Sequence, residues 1–283
     1  MVDRPQGAAP KSYKILYLQF EATNLPSDLR INDIPLAGGR TGIRRSQGIA
    51  LHEYVVPGVN HVTLDWGGGP ESVTETGTEP VAANAAVRAR IALFSDGDPL
   101  ENANGRTLTV LEPALVPGQI GPQRIEARFE VFEPGFLPPT WSWTRAQPLA
   151  SVFSGPQMQV FFTRLIHLFE AADVDGLLDL WRTKMIEAAQ AYPAVPYDAI
   201  VAAQRQDFSA LQQIPAEERR LDPARLVLRL AAGGRLMELR DADGGPFLRS
   251  HNAPPAARHG AAGIAVFACL IGQTPEGPIG VIR

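Results

Sequence analysis

Residues 157–192, QMQVFFTRLIHLFEAADVDGLLDLWRTKMIEAAQAY, constrain the fold more than any other stretch of the chain. Met158, Phe161, Phe162, Leu165, Ile166 and Phe169 recur at i, i+3, i+4, i+7, i+8 and i+11, the spacing of one face of an α-helix. A stripe of that width must be covered by another element. Asp173-Val174-Asp175-Gly176 breaks the helix, and either aspartate suits the N-cap of a second one. In that second helix Leu178, Trp181, Met185, Ala188 and Tyr192 share a face, and Pro193 and Pro196 end it. A third helix is predicted over 197–213 from Tyr197, Ile200, Val201, Gln204, Phe208 and Leu211.

Beyond Pro215 the period changes to two. Leu226, Leu228 and Leu230 alternate, and 235–240 with 247–250 flank the turn Asp241-Ala242-Asp243-Gly244-Gly245 as a predicted hairpin. Residues 264–271 are apolar at every position, which predicts a central strand covered on both faces, and 279–282 would close the sheet. Three helices followed by about five strands make an α+β domain over 156–283, a three-helix plus antiparallel-sheet arrangement.

The first half reads differently. Short β-rich runs at 12–22, 29–36, 50–66, 85–94, 106–111 and 124–132 are punctuated by Gly/Pro turns, with no long helical period among them. They predict an antiparallel β-sandwich over 12–134, preceded by a flexible N-terminus, 1–11. Ile15, Tyr17 and Phe20 are the candidate inward residues of the first strand. The 50–66 run is expected to be a hairpin turning at Pro57-Gly58-Val59-Asn60, and 67–80 an acidic, mobile loop. Residues 135–155 form a Pro/Trp-rich linker. Trp141 and Trp143 either pin one domain onto the other or offer an aromatic platform to a sugar or a proline-rich peptide.

Composition narrows the function classes. Up to Thr140 there are 12 Lys and Arg against 16 Asp and Glu, and 14 of each thereafter, so neither half has the basic excess that a nucleic-acid backbone demands. The N-terminus lacks the apolar core of a secretory signal, and the longest apolar run, 263–272, is too short to span a bilayer. A single cysteine, Cys269, excludes an intrachain disulfide, and a cytoplasmic setting is the simplest expectation.

Candidate chemistry is sparse. His52 and His61 lie in the two strands of the expected hairpin and would be cross-strand neighbours. With no cysteine and only Glu53 nearby, they fall short of the four ligands structural zinc takes, so no metal and no cofactor is expected. His167 falls on the solvated face of the first helix. The loop after Ser250 gathers His251, Asn252, Arg258 and His259 between two apolar strands. It reads as a plain Pro/Ala connection, as a contact loop for a protein partner, or as an acid–base site with Glu238. Asp241-Ala242-Asp243-Gly244 begins like a calcium loop, but Asn252 stands where the bidentate glutamate would be. The glycine runs at 38–39 and 67–69 lack the helix and lysine of a phosphate loop, and no nucleophile elbow occurs. The binding candidates are therefore His251, Asn252, Arg258, His259, Trp141 and Trp143, with no catalytic residue assigned.

Two resemblances add to this. The succession LRINDIPL then ALHEYVVPGVNHVTLDW resembles the jelly-roll, galactose-binding-like sandwiches, a family that implies either sugar binding or a scaffold for a neighbouring domain. The run FFTRLIHLFEAADVDGLLDLW is similar to the first helical pair of NTF2-like (SnoaL-like) domains, in which helices close one side of a curved sheet. That family implies an apolar pocket served by an Asp/His pair, or a ligand- or partner-binding role. This chain departs from it in placing three helices before any strand, and none of its Asp or His residues is assigned to such a pocket.

The expectation from the sequence is a non-enzymatic protein-binding protein, such as a bacterial toxin-neutralising immunity protein or an accessory factor. An NTF2-like enzyme or small-ligand binder and a carbohydrate-binding module are the alternatives.

Overall fold

The structure is a computed structural model and describes residues 13–67, 80–95, 97–101, 104–131, 140–149, 155–242, 244–251, 266–274 and 277–283. The expected flexible N-terminus and nearly all of the acidic loop lie outside these residues. The described chain is α+β, with antiparallel sheets and several helices.

Eight strands come first: β1 (Tyr13–Thr23), β2 (Ser27–Ile31), β3 (Ile34–Gly39), β4 (Arg44–Ala50), β5 (Gly58–Trp66), β6 (Ala86–Ser95), β7 (Arg106–Leu111) and β8 (Gln123–Val131). They form two antiparallel sheets, ordered β4-β1-β6-β7 and β3-β2-β5-β8. Leu16, Leu18, Phe20, Ile91 and Leu93 of the first sheet and Leu29, Val62, Leu64 and Phe129 of the second enter one buried cluster. Burial of a large aliphatic or aromatic side chain contributes about 1.5–3 kcal/mol, so this shared cluster is what holds the two sheets face to face. The tight β2–β3 connection uses Asn32 and Asp33 at φ 50° and 63°, a left-handed pair that matches the twist of a two-residue hairpin.

Two expectations fail here. The inward residues of β1 are Leu16, Leu18, Phe20 and Ala22, while Ile15 and Tyr17 are only half-buried. Strand alternation admits one parity, and in ILYLQF the odd parity also begins with two apolar residues, Ile15 and Tyr17, so periodicity alone did not decide. The 50–66 stretch is not a hairpin. Of its first run only Ala50 is in a strand, the last residue of β4, which pairs with β1, while Gly58–Trp66 pairs with β2 and β8 in the other sheet. Between them the chain crosses through a single 3-10 turn, His52–Tyr54, with Leu51 and Val55 buried on either side. The Asn60 side chain closes the crossing by accepting from Val56 N at 2.8 Å and donating to the Val56 and Gly58 carbonyls. His52 and His61 are therefore not cross-strand neighbours.

The second half contains a single-turn helix α1 (Ser142–Arg145), then α2 (Pro156–Ala171), α3 (Val174–Leu180), α4 (Arg182–Ala191) and α5 (Tyr197–Ser209). Strands β9 (Leu226–Ala231), β10 (Leu236–Asp241), β11 (Leu248–Arg249), β12 (Val266–Phe267), β13 (Leu270–Gln273) and β14 (Ile279–Val281) follow. The sheet order is β14-β13-β10-β9, with β11-β12 as a separate pair. The stripe of α2 buries Met158, Phe161, Leu165 and Phe169 against Met237, Leu239 and Ile271 of that sheet, and Phe162 and Ile166 flank it half-buried. The helix stops at Ala172, which is left-handed at φ 53°. Its N–H reaches Phe169 O and the N–H of Asp173 reaches Leu168 O, a Schellman closure with alanine in the usual glycine place. Asp173 then caps α3 by accepting from Gly176 N at 3.0 Å.

The predicted second helix is in fact two, α3 and α4, which meet at Trp181. The indole is buried and packs edge-on against Phe208 at 5.2 Å. The predicted hairpin around 241–245 shrinks to one bridge, Arg240 to Pro246, since proline has no N–H to extend a ladder. A tight hairpin of this sheet instead joins β9 to β10 through Ala232, Gly233 and Gly234, all at positive φ.

Candidate functional site

The densest polar chemistry among the described residues lies where the two halves meet. Trp141 is fully buried and its indole N–H donates to Val55 O at 2.8 Å, and the Trp143 indole donates to Glu53 O at 3.1 Å. Arg283 spreads its guanidinium over the Trp141 ring, 5.3 Å from the centroid, and its Nε donates to the same Glu53 carbonyl. Its Nη1 pairs with Glu187 Oε2, while Glu187 Oε1 accepts from Ser142 N at 2.5 Å. Ile34, Ala191, Ala231, Leu236 and Leu270 fill the apolar part of the same seam. At its edge Arg229 reaches Asp28 at 3.1 Å, and Asp33 accepts from Gly233 N at 3.0 Å.

His52 is set into this seam by two bonds of opposite sense. Leu16 N–H donates to Nε2 at 3.0 Å, so Nε2 carries no proton; Nδ1 lies 2.9 Å from Ala191 O and must carry it. The geometry thus fixes a neutral Nδ1–H tautomer. The ring stacks on Tyr192 at 5.1 Å. Burial lowers the His52 pKa from its ordinary range against the opposing effect of the Ala191 bond. Burial also raises the phenols of Tyr54 and Tyr192, with Glu53 adding to both, and lowers the Lys184 ammonium. The buried Cys269 thiol is pushed up to about 12, by burial first. These groups bind the fold to itself: the contacts of Glu187 and Arg283 are with each other, with backbone and with Trp141. The seam is a clamp.

Trp141 and Trp143, as binding candidates, are therefore placed as pins between the halves. Neither ring has an exposed face on which a sugar could stack. Of the loop candidates, His251 is exposed and its backbone N–H reaches Glu218 O, while Asn252, Arg258 and His259 lie outside the described residues. Glu238, the acid named for that loop, is paired with Arg240 at 2.5 Å. Asp241 is not the start of a calcium loop but a buried anchor for Arg225 and Arg249, at 2.8 and 2.5 Å. Among the described residues no group of three or more His, Cys, Asp or Glu is placed to hold a metal ion, and no helix is long and apolar enough to cross a membrane.

The site that sequence reasoning missed is a groove of about 710 Å³ between α3, α4 and α5. Its floor is Leu178, Met185, Ile186 and Val201, with Tyr197 at one end. Ile186 is 43% exposed and Tyr197 40%, and Val195 in the connecting turn is 43%. Ion pairs edge it: Arg205 to Asp175 at 2.8 Å, and Arg164 and Arg182 to Asp179, both at 2.9 Å. The available signal was Ile186, which stands off the Leu178–Met185 face and widens the apolar arc of α4 beyond what one neighbour can cover. An apolar floor with a polar rim takes up apolar side chains and orients them by charge. No protein family, curated protein or solved structure matches this chain.

Proposed function

We propose that the protein is a non-enzymatic binding protein that holds an amphipathic helix of a partner protein in the α3–α4–α5 groove. The observation that carries this is Ile186 and Tyr197, large apolar side chains that line the groove and stay open to solvent. Contiguous exposed apolar surface with a polar rim is a recurrent mark of protein recognition, and a groove between helices is the shape into which a helix lays its apolar face. The rim supplies acid and base at short intervals, so the partner helix carries both signs beside its apolar stripe. A role as an immunity protein or an accessory factor fits a chain that works by occupying another protein.

The finer architecture belongs to the same reading. A jelly-roll-like sandwich is supported by the single cluster fed by both N-terminal sheets. An NTF2-like domain is supported by helices that precede an antiparallel sheet and share its core. A cytoplasmic setting is supported by the one buried, unpaired cysteine.

The test is affinity capture by the full chain, with Ile186→Glu and Tyr197→Glu as the variants and titration of whatever is captured. Both positions are exposed, so the substitutions leave the fold intact. A single stoichiometric protein whose affinity falls at least about tenfold in each variant supports the reading. Capture unaffected by both substitutions, or a small molecule retained in place of a protein, overturns it.

A further inference from the structure

The sheet β3-β2-β5-β8 turns its apolar side chains, Leu29, Ile31, Val62, Leu64 and Phe129, into the core. Its register sets polar side chains in rows on the other face. Asp28, Asp65 and Arg124 form one row, Arg30, Thr63 and Glu126 the next, and His61 faces Arg128 in the third, with Asn32 at its end. A cavity of about 630 Å³ opens over the second and third rows.

Part of this grid is a fixed frame. Arg30 is held by Asp28 at 3.1 Å and Asp33 at 3.0 Å, and Arg124 grips Asp65 with two bonds at 2.6 and 3.0 Å. Asn32 spends its amide on Tyr54 O, Asn60 and His61 N. The hairpin between β9 and β10 reaches the rim through Gly233 N and Asp33. Four neighbouring side chains are left over. Among the described residues His61, Thr63 and Arg128 have no side-chain partner, and Glu126 has only Arg124 at 3.8 Å. They supply a cation with a histidine in one row, and a carboxylate with a hydroxyl in the next. Two residues along a strand separate the rows by roughly 7 Å.

We infer that this face is a binding site for a small ligand that carries a carboxylate beside hydroxyl or ammonium donors. Arg128 and His61 take the carboxylate, with the planar guanidinium suited to both of its oxygens. Glu126 and Thr63 take the donors. Two sources share this chemistry, a uronic-acid sugar and a free amino acid. The inference stands apart from the helical groove, which lies on other elements.

The test is calorimetric titration of the full chain with glucuronate and with glycine, with glucose as the neutral control, repeated for Arg128→Ala and Glu126→Ala. Both replaced side chains are exposed, and a melt of each variant confirms the fold. Saturable binding of either charged probe, weakened at least about tenfold by Arg128→Ala and absent for glucose, supports the site. Glu126→Ala tells the sources apart, since it weakens an ammonium-bearing ligand more than a hydroxylated one. Saturation by neither charged probe, glucose binding as tightly as glucuronate, or an affinity untouched by Arg128→Ala overturns the inference.

Discussion

Removing the Glu187 carboxylate is the sharpest perturbation of the seam. The Arg283 side chain is 0% exposed and that of Glu187 6%, so loss of the acid leaves a guanidinium buried without its counter-ion. A pair broken from one side in such surroundings costs about 3–5 kcal/mol, against at most about 1 kcal/mol for an exposed pair. Glu187→Gln keeps an acceptor for Ser142 N and removes only the charge, so it falls at the lower end of that range. Glu187→Ala also orphans the Ser142 N–H and adds about 1–3 kcal/mol. Replacing both partners at once, Glu187→Leu with Arg283→Met, leaves no stranded charge and costs less than Glu187→Ala alone. Guanidinium melts followed by tryptophan fluorescence read all four proteins, and Trp141 and Trp143 report the seam from within. A Glu187→Ala penalty below about 1 kcal/mol, or a double variant at least as costly as Glu187→Ala alone, refutes this description of the clamp.

Other expectations follow from single groups. His52 has a folded pKa below its ordinary value, so the unfolded chain binds the proton first on acidification. Its contribution is whole above about pH 6.5 and is lost as pH falls from there toward the depressed folded value, and His52→Gln flattens that limb of a stability–pH profile. Cys269, buried and with its thiol pushed up to about 12, stays unreactive toward a thiol reagent in the native protein and reacts on unfolding. Ala172→Gly relieves a left-handed alanine and raises stability by about 1 kcal/mol in a denaturant melt. Trp141→Phe leaves Val55 O without its donor and costs about 1–3 kcal/mol on the same assay.

Much of the helical half was legible because its signal is local. Six side chains on one face of α2 state their own burial, and Asp173 announces a cap by type and position. The strand ranges of β6, β7 and β8 were legible for the same reason. What was not legible depends on partners distant in sequence. Leu51 and Val55 read as strand residues until the crossing between sheets is seen, and Trp181 reads as helix until Phe208 claims its ring. Nothing in the sequence ties Glu187 to Arg283, a buried mate 96 positions away. The groove was missed because exposure of Ile186 is a property of how α4 and α5 pack, while the spacing within α4 alone gives only a wider apolar arc. The loop after Ser250, the favoured candidate from composition, is described only as far as His251.

Photo-crosslinking from the groove tests the central claim most directly. A photoreactive phenylalanine analogue replaces Ile186 in one protein and Val116, exposed at 59% in the β7–β8 connection and outside the groove lining, in another. The expected result is a covalent adduct with one partner protein from position 186 alone, mapping to an amphipathic helical segment of that partner. A partner that crosslinks from position 116 and not from 186 would contradict the assignment of the groove as the binding site.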